Sequence, residues 1–271
     1  MSSNNKPVAI VTGASSGIGR ATAIALKGAG YRVYGTSRRQ IPASPDGITM
    51  LACDVADNAS VDTLVAHVLA EAGRIDVLVN NAGLGMTAGA EEVSVERAKT
   101  LFEVNVFGVL RMTNAVLPTM RRQKSGRIIN ISSVLGFIPA PHMAHYAATK
   151  HALEGYSESL DHEIRTFGVR VSLIEPAYTR TSFDANAIQP DRLIAAYEPG
   201  RASADAVMQT AMTTGDAPEV VAGAVLEAVG AKHPKLRYAA GKLARQISFL
   251  RRFVPATAFD KSLRKQNGLP A

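Results

Sequence analysis

The chain has 271 residues, of which 46% are hydrophobic and 20% charged, a composition typical of a globular protein and not of a disordered one. No apolar run approaches the roughly 20 residues that span a bilayer, and the first residues lack a secretory pattern, so we expect a cytoplasmic protein. The net charge of +7 at pH 7 comes with no recognisable DNA- or RNA-binding motif, which argues against a nucleic-acid partner.

Strand-like and helix-like segments alternate along the chain. Short runs rich in β-branched residues predict strands, and segments with helical periodicity separate them. The predicted strands are PVAIVT, YRVYGTS, ITMLACDV, IDVLVNN, GRIINISS, VRVSLIEP and, last, LRYAAG. The predicted helices include residues 95–122, 145–167 and 217–231. This order predicts an α/β fold, a doubly wound parallel sheet (Rossmann fold) with helices on both faces.

No polar linker divides the sequence, so we expect a single domain over residues 1–271. One stretch interrupts the alternation. Residues 182–216 are rich in Ala, Met and polar residues and contain Pro190 and Pro199. A long irregular insertion of this kind predicts a substrate lid or a mobile segment.

The positive charge is concentrated at the C-terminus. From residue 231 onward ten Lys and Arg face one acid, Asp260, so this part carries +9 and residues 1–230 carry −2. Within the basic extension, about 241–271, the stretch KLARQISFLRRFV mixes apolar and basic residues at helical spacing. We favour a solvated helix that packs one apolar face on the body; peripheral membrane contact is an alternative.

A glycine-rich turn lies directly between the first predicted strand and helix. The stretch VAIVTGASSGIGRA carries Gly13, Gly17 and Gly19. Such glycines permit a tight turn and the close approach of a diphosphate, which the amides of the helix N-terminus would face. We therefore predict that a nucleotide cofactor contacts this turn, through Gly13, Ser15, Ser16, Gly17, Ile18 and Gly19.

The end of the second strand indicates which cofactor is bound. An acidic residue at this position usually holds the ribose hydroxyls of NAD. Here the strand ends in YGTSRRQ, so Ser37, Arg38 and Arg39 stand in its place. Guanidinium groups suit a 2′-phosphate, and the sequence therefore favours NADP over NAD.

Five motifs together resemble the short-chain dehydrogenase/reductase family. They are TGASSGIG at 12–19, NNAG at 80–83, Asn105 in VNVFG, ISS at 131–133 and YAATK at 146–150, in the family's order and spacing. The resemblance covers roughly residues 7–185. Softer features, the apolar substrate-side segments and the basic extension, resemble the 17β-hydroxysteroid-dehydrogenase-like and retinol-dehydrogenase-like members.

The resemblance implies a catalytic set of Asn105, Ser133, Tyr146 and Lys150. Tyr146 would exchange a proton with the substrate oxygen, and Lys150 would lower the phenol's pKa, which is ordinarily near 10. Their spacing of four residues on a helix places the two side chains on one face. Ser133 would polarise the substrate oxygen, and Asn105 would anchor a water that relays protons to Lys150.

The resemblance also implies further cofactor contacts. Tyr146 and Lys150 would approach the nicotinamide half, with Lys150 on its ribose. The other implied contacts are Asp54 and Val55 at the adenine, Asn80, Ala82 and Gly83 along the adenosine ribose, and Pro176 and Thr181 at the nicotinamide. One departure is visible: Ala177 stands where the family often has glycine, which puts the local backbone geometry in question.

The substrate side is predicted to be apolar. The loop VLGFIPAPHM and the residue Phe183 would surround the reactive carbonyl. The predicted substrate contacts are Ser133, Leu135, Phe137, Met143 and Phe183, with Ile138 beside them. Apolar walls suit an apolar alcohol or ketone, although several of these residues also suit a core or a dimer contact.

No metal site is predicted. His142, His145 and His151 lie near Tyr146, but no Cys or carboxylate cluster accompanies them. The single cysteine, Cys53, excludes an internal disulfide and lies in an apolar run typical of a buried core residue.

These observations predict an NADP(H)-dependent oxidoreductase that interconverts an apolar alcohol and a ketone or aldehyde. A nonenzymatic NADP-binding regulator and a sugar-nucleotide epimerase or dehydratase remain alternatives. The resemblance further implies a homodimer or homotetramer, assembled through the helices around 95–122 and 145–167.

Overall fold

The computed structural model describes residues 6–39, 46–181, 183 and 187–266. Seven strands form one sheet in the order β3-β2-β1-β4-β5-β6-β7, and every neighbouring pair is parallel. The strands are β1 (Val8–Val11), β2 (Arg32–Ser37), β3 (Thr49–Ala52), β4 (Val77–Asn80), β5 (Gly126–Ile131), β6 (Val169–Pro176) and β7 (Arg237–Ala240). The predicted doubly wound parallel sheet is confirmed, including its last short strand.

Helices cover both faces of this sheet. They are α1 (Gly17–Gly28), α2 (Asn58–Ala72), α3 (Val95–Phe102), α4 (Gly108–Gln123), α5 (Ala144–Ile164), α6 (Glu198–Thr214), α7 (Pro218–Gly230), α8 (Lys242–Phe253) and α9 (Ala256–Gln266). Successive side chains of a strand point to opposite faces, and this alternation builds two cores. Val8 and Ile10 pack with α2, α4 and α5, whereas Ala9 and Val11 pack with α1 and α7.

The strand order reverses between β1 and β4. From β1 the chain proceeds outward to β2 and β3, and it then crosses to β4 on the other side of β1. The carboxyl ends of β1 and β4 therefore diverge into helices on opposite faces, which opens a crevice there. The glycine turn after β1 and the NNAG segment after β4 both lie at this edge.

The insertion between β6 and α7 is more regular than the sequence suggested. Our expectation of irregular structure over 182–216 is wrong for Glu198–Thr214, which form the 17-residue helix α6. Pro199 lies in the first helical turn, where its missing N–H costs no hydrogen bond, so it begins the helix instead of breaking it. No residue of α6 is buried, and this explains why its sequence lacks a clear apolar stripe.

The C-terminal helices α8 and α9 follow β7 and pack beside the carboxyl edge of the sheet. Ala244 is the buried contact of α8, where it meets Val134 and Ile138. None of the helices described here combines the length and the apolar composition that crossing a bilayer requires.

Candidate active site

A cavity of about 1100 Å³ occupies the crevice at the carboxyl edge of the sheet. It brings together most of the residues that the sequence singled out. Those on its wall are Gly13, Ser15, Ser16, Gly17, Ile18, Ser37, Arg38, Arg39, Asp54, Val55, Ala82, Gly83, Ser133, Leu135, Ile138, Met143, Tyr146, Lys150, Pro176, Thr181 and Phe183. Four predicted residues lie outside the wall: Gly19, Asn80, Asn105 and Phe137.

The glycine turn is a cradle that side chains would fill. Gly13 and Gly17 have φ of +65° and +53°, a region that side chains disfavour. A Cβ at Gly19 would lie 2.3 Å from the Gly13 carbonyl oxygen, so Gly19 closes the turn from behind and does not face the cavity. Ser16 is the N-cap of α1, and its side chain accepts no hydrogen bond from the first-turn amides of the helix.

The glycine turn is held against the segment that follows β4. The Thr12 hydroxyl oxygen accepts hydrogen bonds from the backbone N–H groups of Asn81 and Ala82, both at 2.9 Å. The Asn81 side-chain amide donates to the carbonyl oxygens of Thr12 and Gly13, at 2.9 and 3.2 Å. Asn81, which our sequence interpretation did not single out, therefore fixes the distance between the two halves of the cradle.

The residues at the ends of β2 and β3 line the same part of the cavity. Arg38 and Arg39 are exposed, and among the described residues neither has an acidic ion-pair partner. Asp54 accepts a hydrogen bond from the backbone N–H of Ala56 at 2.9 Å, and this contact orders the turn after β3. Two guanidinium groups therefore stand at the cavity wall beside a short acidic turn.

Tyr146 and Ser133 face the cavity from α5 and from the end of β5. Tyr146 is buried in all but 8% of its surface, and its ring meets that of Phe183 at a centroid distance of 6.0 Å. The Ser133 hydroxyl accepts a hydrogen bond from the Leu135 backbone N–H at 3.1 Å and donates a long one to the Pro176 carbonyl at 3.5 Å. Ser132 also lines the cavity, and its buried hydroxyl lies beside the Glu154 carboxyl group, where it acts to lower the pKa of that group.

Lys150 lies one helical turn beyond Tyr146 on α5. Its Nζ is 5.6 Å from the centroid of the Tyr146 ring and donates to the carbonyl oxygen of Ile131 at 2.9 Å. Burial lowers the pKa of Lys150 to about 8, while the negative charge of Glu154 acts in the opposite direction. Lys150 is therefore mostly an ammonium at neutral pH, held close to the phenol.

Two buried carboxyl groups and a partly exposed arginine lie behind Lys150. Arg237 of β7 approaches Glu154 of α5 at 3.0 Å and Glu175 of β6 at 3.4 Å. Burial raises the pKa of both carboxyl groups, and that of Glu175 reaches about 8. One cation is thus shared between two buried acids directly behind the predicted catalytic pair.

Asn105 lies in a π-helical turn, Glu103–Phe107, between α3 and α4. Its side-chain amide pairs with the backbone of Leu84: Oδ1 accepts from the Leu84 N–H at 2.8 Å and Nδ2 donates to the Leu84 carbonyl at 2.9 Å. Nδ2 is also 3.2 Å from the Thr149 hydroxyl, next to Lys150 in sequence. π-turns of this kind are frequent at functional sites. Asn105 therefore joins the loop after β4 to α5 from just outside the cavity.

Two predicted contact residues have their side chains engaged elsewhere. The Asn80 amide donates to Asn130 Oδ1 at 2.9 Å within the sheet, so its neighbour Asn81 takes the position on the cavity wall. Phe137 packs against the cluster of Val134, Ile138 and Ala244, which Ile247 and Phe259 of the C-terminal helices also contact. In both cases the motif lies at the site, but the named side chain points away from the cavity.

Ala177 is compatible with the backbone at its position. Among the described non-glycine residues, only Lys124 and His142 have positive φ, so Ala177 adopts a conformation open to any L-residue. It lines the cavity and packs with the apolar cluster around Val134. The departure from glycine noted in the sequence therefore introduces no strain.

The histidines and the cysteine form no metal site within the described part of the chain. His142 packs edge-on against Tyr197 at a centroid distance of 6.3 Å. Cys53 is buried at the cavity wall, and burial raises the pKa of its thiol.

The family can be assigned from comparison with known proteins. Residues 7–192 match the model of a family described as short chain dehydrogenase. The chain belongs to the short-chain dehydrogenase family. It is accordingly an oxidoreductase that acts on CH–OH groups.

Relatives of this short-chain dehydrogenase include characterised and solved proteins. It is 43% identical over 180 residues to a 3-ketodihydrosphingosine reductase of Bacteroides thetaiotaomicron, and the alignment spans 66% of each chain. A crystal structure of a short-chain dehydrogenase from Streptomyces avermitilis is similar over 98% of this chain and 99% of its own, with 36% identity and a TM-score of 0.83.

Two further solved structures contain cofactors. A metagenomic short-chain oxidoreductase in complex with NADP has 30% identity and a TM-score of 0.67, covering 86% of this chain and 95% of its own. A short-chain dehydrogenase/reductase from Burkholderia phymatum in complex with NAD has 28% identity and a TM-score of 0.78, covering 97% of both chains.

The short-chain dehydrogenase described here has a part of its cavity wall that the sequence motifs did not reveal. It comes largely from beyond residue 192, where the family match ends. The added wall residues are Met208 and Met212 of α6, Leu243, Gln246, Ile247, Phe249 and Leu250 of α8, and Leu263 and Gln266 of α9. Within the basic extension, Ala244 and Ile247 of α8 pack on the body, whereas Leu243, Phe249 and Leu250 line the cavity and remain partly exposed. The amphipathic pattern of KLARQISFLRRFV was the signal, but it does not specify which surface the helix covers.

Proposed function

We propose that this enzyme is an NADP(H)-dependent oxidoreductase that interconverts an apolar alcohol and the corresponding ketone or aldehyde, with Tyr146 as general acid/base. The observation that carries the proposal is the convergence of Ser133, Tyr146 and Lys150 on one cavity. The glycine cradle lies at one end of this cavity, and an apolar wall lies at the other.

The residues present suit a nicotinamide dinucleotide. The cradle of Gly13 and Gly17 admits a diphosphate where any Cβ would intrude, and the α1 amides face it. Arg38 and Arg39 supply the guanidinium groups that a 2′-phosphate favours. When bound, the cofactor supplies or accepts the hydride at its nicotinamide ring. The NADP complex of the metagenomic relative supports this assignment, and the NAD complex of the Burkholderia relative defines the alternative.

The proton chemistry follows from the charges around Tyr146. A phenol with an ordinary pKa near 10 is a poor base at neutral pH. The Lys150 ammonium, 5.6 Å from the ring centroid, favours the phenolate, which accepts the proton of an alcohol; in the reverse direction Tyr146 donates that proton to the carbonyl oxygen. Ser133 would donate a hydrogen bond to the same oxygen, in place of its long bond to Pro176.

The substrate is proposed to be apolar because of what surrounds the proton donor. Leu135, Met143 and Phe183 lie on the Tyr146 side of the cavity, and α6 and α8 extend the apolar wall outward. The Bacteroides relative, whose name describes a reductase of a keto compound, supports a carbonyl substrate. A wall of this composition favours aliphatic groups on the carbonyl.

Replacing Tyr146 by Phe tests the proposal. A panel of medium-chain aliphatic ketones and aldehydes is screened with NADPH for turnover by the wild-type enzyme. The variant should lose about 10³-fold of kcat, since general acid/base catalysis contributes about 10²–10⁴-fold and Ser133 would polarise that oxygen without transferring a proton to it. Its melting temperature should still rise with NADPH.

Tyr178→Phe is the matched control, because Tyr178 is a half-buried tyrosine that lines the same cavity. It should retain turnover within a few-fold. Equal losses in the two variants, or near-normal turnover by Tyr146→Phe, would refute the assigned role. The proposed function would be refuted if the wild type turned over none of the carbonyl compounds and alcohols tried and no nicotinamide cofactor raised its melting temperature.

A further inference from the structure

Helix α8 exposes more large apolar side chains than any other described element. Leu243, Phe249, Leu250 and Phe253 are 41%, 62%, 45% and 62% exposed, and they are four of the ten exposed large apolar residues in the described part of the chain. At 100° per residue these four fall within an arc of about 120°. The rings of Phe249 and Phe253 are 4.8 Å apart. We call these four residues the α8 apolar face.

Positive charge accompanies the α8 apolar face. The helix carries Lys242, Arg245, Arg251 and Arg252 and has no acidic residue. The guanidinium carbon of Arg252 lies 5.6 Å from the centroid of the Phe253 ring. Among the described residues, Lys242, Arg245 and Arg252 have no acidic ion-pair partner. Exposed Phe and Leu together with Arg and Lys on one amphipathic helix are typical of helices that lie in a lipid–water interface.

The α8 apolar face is continuous with the active-site cavity. Leu243, Phe249 and Leu250 are exposed to solvent and also line the cavity that contains Tyr146. They therefore lie at its mouth, where the cavity wall passes into the outer surface. A molecule that entered past these residues would remain against apolar side chains along its path.

We propose that the α8 apolar face docks on an anionic lipid bilayer and opens the cavity mouth to its apolar layer. Phe249 and Phe253 would enter the interface, while Arg245 and Arg252 would pair with anionic headgroups. The route of substrate entry rests on the function proposed above: an apolar carbonyl compound dissolved in the bilayer would reach Tyr146 without crossing water. The docking itself does not depend on that function.

A second copy of the chain is the less favourable occupant of this face. A two-fold interface brings the same surface of both copies together. Two α8 helices would then bring Lys242, Arg245 and Arg252 of one copy close to those of the other, with no acid on either helix. An anionic bilayer offers an apolar layer to the apolar residues of the helix and anionic headgroups to its basic residues.

Vesicle co-sedimentation of the full-length protein tests the docking. Phosphatidylcholine vesicles with and without about 30% phosphatidylserine are compared. The wild type should bind the anionic vesicles, and binding should fall steeply as salt is raised. Arg252→Gln/Phe253→Ser should lower the vesicle partition coefficient at least about tenfold, because it removes one headgroup contact and one inserted ring.

The chain offers a matched control in Arg121→Gln/Phe167→Ser. The guanidinium carbon of Arg121 lies 5.9 Å from the centroid of the Phe167 ring, and the two residues form an exposed cation–aromatic pair on another surface. This variant should bind vesicles like the wild type. Equal losses in the two double variants, or no binding of the wild type to anionic vesicles, would overturn the proposal. So would concentration-dependent self-association that only Arg252→Gln/Phe253→Ser abolishes.

A second readout separates the docking from the proposed reaction. Neither Arg252 nor Phe253 lines the cavity. The variant should therefore turn over a water-soluble ketone normally, but its kcat/KM for a long-chain ketone presented in anionic vesicles should fall about tenfold or more. An equal fall for both substrates would contradict membrane delivery. If no carbonyl is turned over by the wild type, the proposed function fails while the binding result still decides the docking.

Discussion

Arg38 and Arg39 are the residues that would select between the two nicotinamide cofactors. Hydrogen bonds to charged groups contribute roughly 1.5–3 kcal/mol each. Arg38→Ala/Arg39→Ala should therefore lower kcat/KM for NADPH by about 10² or more and leave that for NADH within a few-fold. Steady-state kinetics with both cofactors measure this. Equal losses with NADPH and NADH would show that the two arginines do not recognise the 2′-phosphate.

We expect the buried carboxyl group of Glu175 to make the stability of the fold depend on pH. Burial, reinforced by Glu154 and opposed by Arg237, raises its pKa from 4.5 to about 8. Between these values the folded protein keeps a proton that the unfolded chain has lost, so this group's contribution to stability falls as pH rises from about 4.5 to 8. Glu175→Gln removes the titration. Its melting temperature relative to the wild type should increase by several degrees between pH 5 and pH 8.

Thermal denaturation over this pH range provides the measurement. Glu158→Gln is the control, because Glu158 pairs with the same Arg237 at 3.2 Å but is half exposed. The control should show the wild-type pH dependence. A wild-type pH dependence in Glu175→Gln would instead mean that Glu175 is ionised in the folded protein at pH 7.

At the scale of elements, one buried acid ties the insertion to the body. Glu92 accepts hydrogen bonds from the backbone N–H groups of Gly89 and Ile194, at 2.7 and 2.8 Å, and pairs with Arg201 of α6. The Ile194 N–H is the main cause of a lowered pKa at Glu92. Asp191 forms a second tie, to Arg97 at 2.5 Å. The segment that carries Met208 and Met212 to the cavity is thus fastened near its start.

Glu92→Gln should loosen this fastening, because a neutral amide loses the ion pair with Arg201. Tryptic cleavage at Arg192 and Arg201 should accelerate about fivefold, as expected when a local opening becomes less costly. KM for an apolar substrate should rise more than kcat falls. Limited proteolysis measures the cleavage rate, and steady-state kinetics measure KM and kcat. Glu96→Gln, an exposed acid of α3, is the control and should behave as the wild type; an unchanged cleavage rate in Glu92→Gln would contradict the anchoring.

The sequence predicted those helices and strands whose hydrophobic pattern reflects their burial in the structure. The central strands β1, β4, β5 and β6 read as mainly apolar runs because both faces of the sheet are covered there. Helix α6 has no such hydrophobic pattern, since none of its residues is buried. The π-helical turn at Asn105 was also hidden, because a helical pattern does not show where one residue is added.

At the scale of the whole molecule, the motifs predicted which segments meet but not every side chain that faces the cavity. NNAG lies at the site, yet Asn81 and not Asn80 reaches the wall. The apolar half of the cavity was only partly foreseen. Its outer wall depends on how α6 and α8 pack on the body, and this packing involves residues far apart in sequence, such as Ala244 with Val134.

The position of the two C-terminal helices also affects how the substrate specificity of such an enzyme can evolve. The cradle and the proton-transfer residues lie before residue 151, and the outer cavity wall on α6, α8 and α9 is encoded after residue 197. Because β6 is the only strand between these two parts of the sequence, one recombination event near β6 would exchange most of the outer cavity wall at once. The chemistry would be inherited from one parent and the choice of substrate largely from the other.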